Sequence, residues 1–161
     1  MERGFTSDGY IMDQDCFEHL LYRGCTSNIN GCGWIAAYNF LHALGFEADY
    51  RTVHRDMDDY FPAKIPGPTP VRILRRYLRR WGRYPLSLGK KQSLAACSRS
   101  RMGILRYWEE NTPHFVTFVR KEDGLFRFFN VCDGGEELTL SMAGFFRTHC
   151  TRGFVRAITE Q

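Results

Sequence analysis

The sequence predicts an α+β fold, with helices gathered in its first half and an antiparallel sheet in its second. Apolar residues recur at helical spacing between residues 32 and 82, whereas between 102 and 158 they fall in short β-branched and aromatic runs. Helices first and strands second is the α+β arrangement. At 161 residues, 43% apolar and 15% aromatic, the chain fits one domain over 1–161 with a real core. Residues 61–70, FPAKIPGPTP, carry four prolines and a glycine and read as an ordered loop inside that domain.

The first helix is expected over 32–44. Trp34, Ala37, Tyr38 and Leu41 share a face, alanines crowd the first turns, and Gly45 followed by Phe46 makes a C-terminal stop. A second helix is expected over 52–60. The third has the clearest local signals: Thr69 as N-cap, Pro70 at the first helical position, a stripe of Val71, Leu74, Leu78 and Trp81, and Gly82 past its end. A short helix fits 93–98. Strands are expected at 102–108, 114–120, 125–131 and 153–158, with EENTP, KEDG and DGG as turns and a short helix over 140–146.

Composition excludes several classes. The chain has 22 basic and 18 acidic side chains, a net charge of +4 that is too mild to announce a nucleic-acid protein. No run approaches the ~18–20 apolar residues that cross a bilayer, and the start MERGFTSDGYIMDQD has neither a basic n-region nor an apolar h-region. The expectation is a soluble, cytoplasmic protein with no membrane partner. Cysteines at 16, 25, 32, 97, 132 and 150 form no CxxC pair, so neither structural zinc nor any other metal or cofactor is expected. A chain this apolar needs no disulfide framework, and most of the six are read as reduced, buried and inert.

Cys32 differs. It lies in Asn-Ile-Asn-Gly-Cys-Gly-Trp at the predicted start of the first helix, where unpaired N–H groups and the helix dipole favour a thiolate. Flanking glycines allow close approach of backbone or substrate. The bland alternative is a small buried hydrophobe, the usual fate of cysteine. What weighs against it is the hairpin formed by HFVTFVR and LFRFFNV. Pairing Thr117 with Arg127, Val116 with Phe128 and Phe118 with Phe126 builds one apolar face and sets His114 opposite Asn130. On this reading that face covers the core and a helix end presents Cys32 beside His114. Cys32 would attack a carbonyl carbon, His114 would carry the proton and Asn130 would orient the ring, an acyl-transfer arrangement. The Cys32 N–H is a natural first oxyanion donor, with Asn28 or Asn30 as the second.

With Asn-Gly-Cys-Gly-Trp-Ile-Ala-Ala-Tyr-Asn, a later Pro-His-Phe-Val-Thr-Phe-Val strand and Asn130, the chain resembles the papain-like cysteine peptidase superfamily, and within it the small C39-like, bacteriocin-processing peptidases. The resemblance covers residues 28–133 and the last strand. It implies a papain-like fold, Cys32 as nucleophile, His114 as acid and base, and Asn130 as orienter, acting on a peptide or isopeptide amide through a thioester. The family places a glutamine several residues before the cysteine, and here that stretch reads Cys25-Thr26-Ser27-Asn28-Ile29-Asn30. Asn28 is the nearest equivalent, on a shorter arm. Gln14 is too far along the chain to assign by motif, although a loop could return it. Asp133 competes with Asn130, three residues beyond the register above.

Arg72, Arg75, Arg76, Arg79, Arg80 and Arg83 crowd one predicted helix with no acid between them. They read either as a solvated face or as a docking surface for an acidic partner, nucleic acid being the less favoured occupant. A catalytically silent papain-like domain, or an arginine-face binding module, is therefore the alternative to a peptidase. An amidase or acyltransferase would need the same triad. His19, His42, His54 and His149 have no assignable partner in the sequence.

Overall fold

A computed structural model describes residues 2–131 and 137–160. A 3₁₀ turn at Gln14–Phe17 leads into a small hairpin, β1 (Leu21–Tyr22) and β2 (Cys25–Thr26), and then the helices α1 (Ser27–Asn30), α2 (Cys32–Ala43), α3 (Tyr50–Asp58) and α4 (Val71–Arg80). There follow β3 (Leu86–Gly89), α5 (Lys90–Arg99), β4 (Met102–Glu109), β5 (Thr112–Arg120), β6 (Phe126–Phe129), β7 (Leu138–Leu140), α6 (Met142–His149) and β8 (Arg156–Thr159). Six strands form one antiparallel sheet in the order β3-β8-β4-β5-β6-β7. The α+β class expected from the sequence is what the fold shows.

Helix α2 is central. Every residue from Cys32 to Leu41 is buried, so it is apolar all round rather than amphipathic. It lies on β5, where Thr117 Oγ1 donates to the Ala36 carbonyl at 3.1 Å, and it shares one core with Tyr50, Val53 and Met57 of α3 and Leu74, Tyr77 and Leu78 of α4. Asp49 caps α3 by accepting from the Thr52 N–H. At α4 the expected cap is wrong by one residue: Pro70 is the N-cap, and Thr69 makes no capping bond. Thr69 is fully buried, with its hydroxyl 2.9 Å from the Tyr22 hydroxyl, and it packs against Gly33 so closely that a Cβ there would stand 2.0 Å from Thr69 Oγ1. Tertiary packing has claimed the side chain that local rules assign to the helix.

The sheet is covered on both faces. Ile104, Phe115 and Ile158 face α2, whereas Leu105, Tyr107, Val116, Phe118, Phe126 and Phe128 form a second core with Cys97 of α5 and Met142 and Phe145 of α6. The expected hairpin register is corrected by two residues: Thr117 pairs with Phe129, Phe118 with Phe128 and Val119 with Arg127. A shift of two keeps every side chain on its face, which is why the apolar pattern could not detect it. The face that carries Val116 and Phe118 is also not the one beneath α2, contrary to expectation. Phe129, on the α2 side, stacks on Tyr10 with ring centroids 4.1 Å apart, a contact that draws the N-terminal segment onto the sheet. Strands β3 and β7 were not anticipated; both are short outer strands with little alternation to read. The expected DGG turn and Asp133 lie outside the described residues.

Candidate functional site

The thiol of Cys32 sits at the N-terminal end of α2 and is 5% exposed. Its glycine neighbours are required by packing: a Cβ at Gly31 would stand 2.4 Å from the Ser27 carbonyl oxygen, and one at Gly33 would strike Thr69. Burial pushes the thiol up to about 11; the N–H of Phe115, the Arg106 charge and the N–H groups of Gly33 and Cys32 itself pull the other way and are outweighed. The helix start does favour the thiolate, as expected from the sequence, but desolvation is the larger effect. The last β5–β6 pair is Thr117 with Phe129. Phe115 therefore lies beyond the end of β6, and its N–H meets sulfur there.

His114, one residue away, is 4% exposed and faces Tyr107, edge to ring at 5.8 Å. Its Nε2 lies 2.6 Å from the Asn130 backbone oxygen. A carbonyl only accepts, so Nε2 carries the proton and Nδ1 keeps the basic lone pair. Burial lowers the imidazole from 6.5 to about 4, against the opposing pull of the Asn130 carbonyl. The ring is neutral near pH 7. No hydrogen bond joins it to Cys32 Sγ: the imidazole bonds to the Asn130 carbonyl, and the thiol is held by backbone N–H groups. Thiol and imidazole are thus two separate neutral groups: the Phe115 N–H holds the thiol on the α2 side, while His114, the residue before it, packs against Tyr107 of the second core.

Asn130 holds the imidazole with its carbonyl, not with the side-chain amide expected from the sequence. It has φ of 63°, a left-handed conformation that asparagine tolerates better than most residues. This turns its side chain to Gln14: Asn130 Nδ2 donates to Gln14 Oε1 at 2.9 Å, and the Gln14 N–H donates to Asn130 Oδ1 at 3.1 Å. Gln14 Nε2 in turn donates to the Asn28 carbonyl at 2.6 Å. A loop does return Gln14, and a 3₁₀ turn capped by the Asp13 side chain fixes it there. Asn28, the expected second oxyanion donor, offers its backbone carbonyl to this network, and its Oδ1 is buried without a hydrogen-bond partner. Sequence spacing could not find Gln14, because its partner Asn130 is 116 residues away.

The six arginines are less unbalanced than their run suggests. Arg80 pairs with Asp56 at 3.8 Å, Arg83 with Glu160, Arg75 Nε donates to the Pro85 carbonyl, and Arg76 lies over the Tyr60 ring. Arg72, Arg76 and Arg79 stand exposed with no ion pair among the described residues. A cavity of about 810 Å³ near Leu44, Arg99, Met102 and Glu160 lies at the other end of α2 from Cys32. Among the described residues there is no group of His, Cys, Asp and Glu able to hold a metal and no helix long and apolar enough to cross a membrane. Compared with known proteins, the chain matches no protein-family model and no curated protein.

Proposed function

We propose that the chain is a papain-like cysteine hydrolase that cleaves a peptide or isopeptide amide, with Cys32 as nucleophile and His114 as acid and base. The observation that carries this is the Phe115 N–H on the Cys32 thiol, which ties sulfur to the backbone of the residue that follows His114. Four separate segments, around residues 14, 28–32, 114 and 130, converge there. In the reaction His114 Nδ1 takes the thiol proton, sulfur attacks the carbonyl carbon, and the Cys32 N–H stabilises the oxyanion. The same imidazole then protonates the leaving amine, and water hydrolyses the thioester. Asn130 acts through its carbonyl, which holds Nε2–H and so leaves Nδ1 as the base.

The resting geometry requires the imidazole to swing toward sulfur before this can begin. That requirement favours a second reading, a catalytically silent papain-like domain that binds a protein. Alkylation by iodoacetamide, followed residue by residue across pH, separates the two. A hydrolase shows Cys32 reacting faster near neutral pH than Cys16 and Cys25, with His114→Ala removing the advantage. Equal rates that His114→Ala leaves unchanged would sink the catalytic reading.

A further inference from the structure

Arg106 of β4 and Arg156 of β8 stand directly opposite each other in the sheet. The period of two places both on the face that carries Ile104 and Ile158 toward α2. Arg106 is also the cross-strand partner of Phe115, with its guanidinium 5.9 Å from the centroid of that ring. The row continues to Gly89 of β3, opposite Arg156, where the missing side chain leaves the guanidinium room: a Cβ would lie 3.8 Å from Arg156 Nη1. Phe115, whose N–H meets the Cys32 thiol, is thus the near end of a row holding two cations.

Like charges directly opposite in a sheet repel, and a fold normally offsets them with a carboxylate. Here, among the described residues, neither arginine forms an ion pair. Arg106 Nε is buried with no hydrogen-bond partner, a costly condition for a charged donor. Burial lowers the Arg106 pKa, Cys32 raises it, and Arg156 lowers it further, so the guanidinium and the thiol feel each other. A planar guanidinium with free donors matches a carboxylate in two-pronged geometry.

We propose that Arg106 and Arg156 form an anion subsite beside Cys32, which selects substrates carrying a carboxylate close to the carbonyl that sulfur attacks. The substrate class rests on Cys32 being the nucleophile; the subsite itself does not. The carboxylate is either an acidic side chain or the free end of a peptide.

The test compares an anionic and a neutral alkylating reagent of the same shape. In both, sulfur displaces iodide and forms a thioether, so the ratio of iodoacetate to iodoacetamide rates, taken at matched thiolate fraction, reports local charge and needs no turnover. At Cys32 that ratio should exceed the ratios at Cys16 and Cys25 by roughly tenfold, the effect of a partly screened guanidinium at close range. Arg106→Gln and Arg156→Gln should each bring it toward theirs, and Arg156 is exposed, so its variant keeps the fold. A Cys32 ratio equal to those of Cys16 and Cys25, or unmoved by both variants, overturns the subsite. Amidated peptides with one glutamate, and neutral peptides with a free C-terminus, then distinguish the two sources by which is cleaved faster than an amidated neutral control. Equal cleavage of all three overturns the substrate class. No cleavage of any, with the alkylation ratio intact, sinks the hydrolytic reading and leaves the subsite standing.

Discussion

His114 Nε2 lies 2.6 Å from the backbone oxygen of Asn130, while the Asn130 side chain turns away to Gln14. One residue thus serves two segments: its carbonyl fixes the imidazole tautomer, and its amide ties the N-terminal segment to the end of β6. The left-handed φ of Asn130 makes both possible, because it sends carbonyl and side chain to different partners.

Burial of His114 predicts an acid-sensitive fold. The unfolded imidazole takes a proton below about 6.5, whereas the buried one resists until about 4. Between those values the unfolded chain binds more protons, so stability falls as pH is lowered through that window and is unaffected above it. The shift corresponds to about 3 kcal/mol. His54, also lowered by burial, adds in the same sense. Asp8, whose carboxyl Arg127 holds well below the usual range, acts only at lower pH. Urea unfolding between pH 7 and about 4 should show the loss, and His114→Gln, which keeps a donor for the Asn130 carbonyl, should flatten most of it. An unchanged slope in the variant would show that His114 does not titrate this way.

Asn130 offers a test of backbone conformation. Asn130→Gly and Asn130→Ala both remove the bonds to Gln14, but only glycine accepts the positive φ without strain. The left-handed penalty of about 1–2 kcal/mol, less the extra entropy glycine loses on folding, leaves the alanine variant about 1 kcal/mol less stable than the glycine variant. Equal stabilities in chemical denaturation would mean that this turn relaxes.

What was legible in the sequence follows from the range of each interaction. Helix α2, the α4 stripe and strands β4, β5, β6 and β8 depend on neighbours within a few residues, and period alone located them. Cys32 and His114 were visible because glycine flanks and a strand start are local features. The two-residue shift in register was invisible because it leaves every side chain on its face, and the choice of face was invisible because a sheet covered on both sides is apolar on both. Gln14, Arg106 and Arg156 take their meaning from partners 116, 9 and 50 residues away. No spacing within a motif encodes such pairs.

Arg127 predicts a loss that is mostly packing. Its guanidinium lies 4.8 Å from the Phe129 ring centroid and 5.4 Å from that of Tyr10, and it binds Asp8 and Glu137. Asp8 is 48% exposed, so the ion pairs are screened and contribute modestly. Arg127→Ala removes the cover over the Tyr10–Phe129 stack and should cost about 2 kcal/mol. Arg127→Lys keeps the charge but loses the planar fork, and it should recover less than half of that in urea titrations. Full recovery by lysine would assign the effect to charge instead.

The contact between Gly33 and Thr69 gives the sharpest prediction about how Cys32 is held. A Cβ at residue 33 would lie 2.0 Å from Thr69 Oγ1 and 2.4 Å from Thr69 Cβ, and Thr69 is fully buried and engaged with Tyr22, so it cannot yield. Gly33→Ala gains a little helix propensity but overpacks this contact, for a net loss of about 1–3 kcal/mol. Thr69→Gly removes the opposing atoms while sacrificing the hydroxyl bond to Tyr22. If steric overlap is the cause, Gly33→Ala in the Thr69→Gly background should cost less than half of what it costs alone, a coupling read directly from a double-mutant cycle in urea. Additive losses would mean that the start of α2 moves as a unit. In that case the thiol of Cys32 would shift with it, and its alkylation rate in Gly33→Ala would change along with stability.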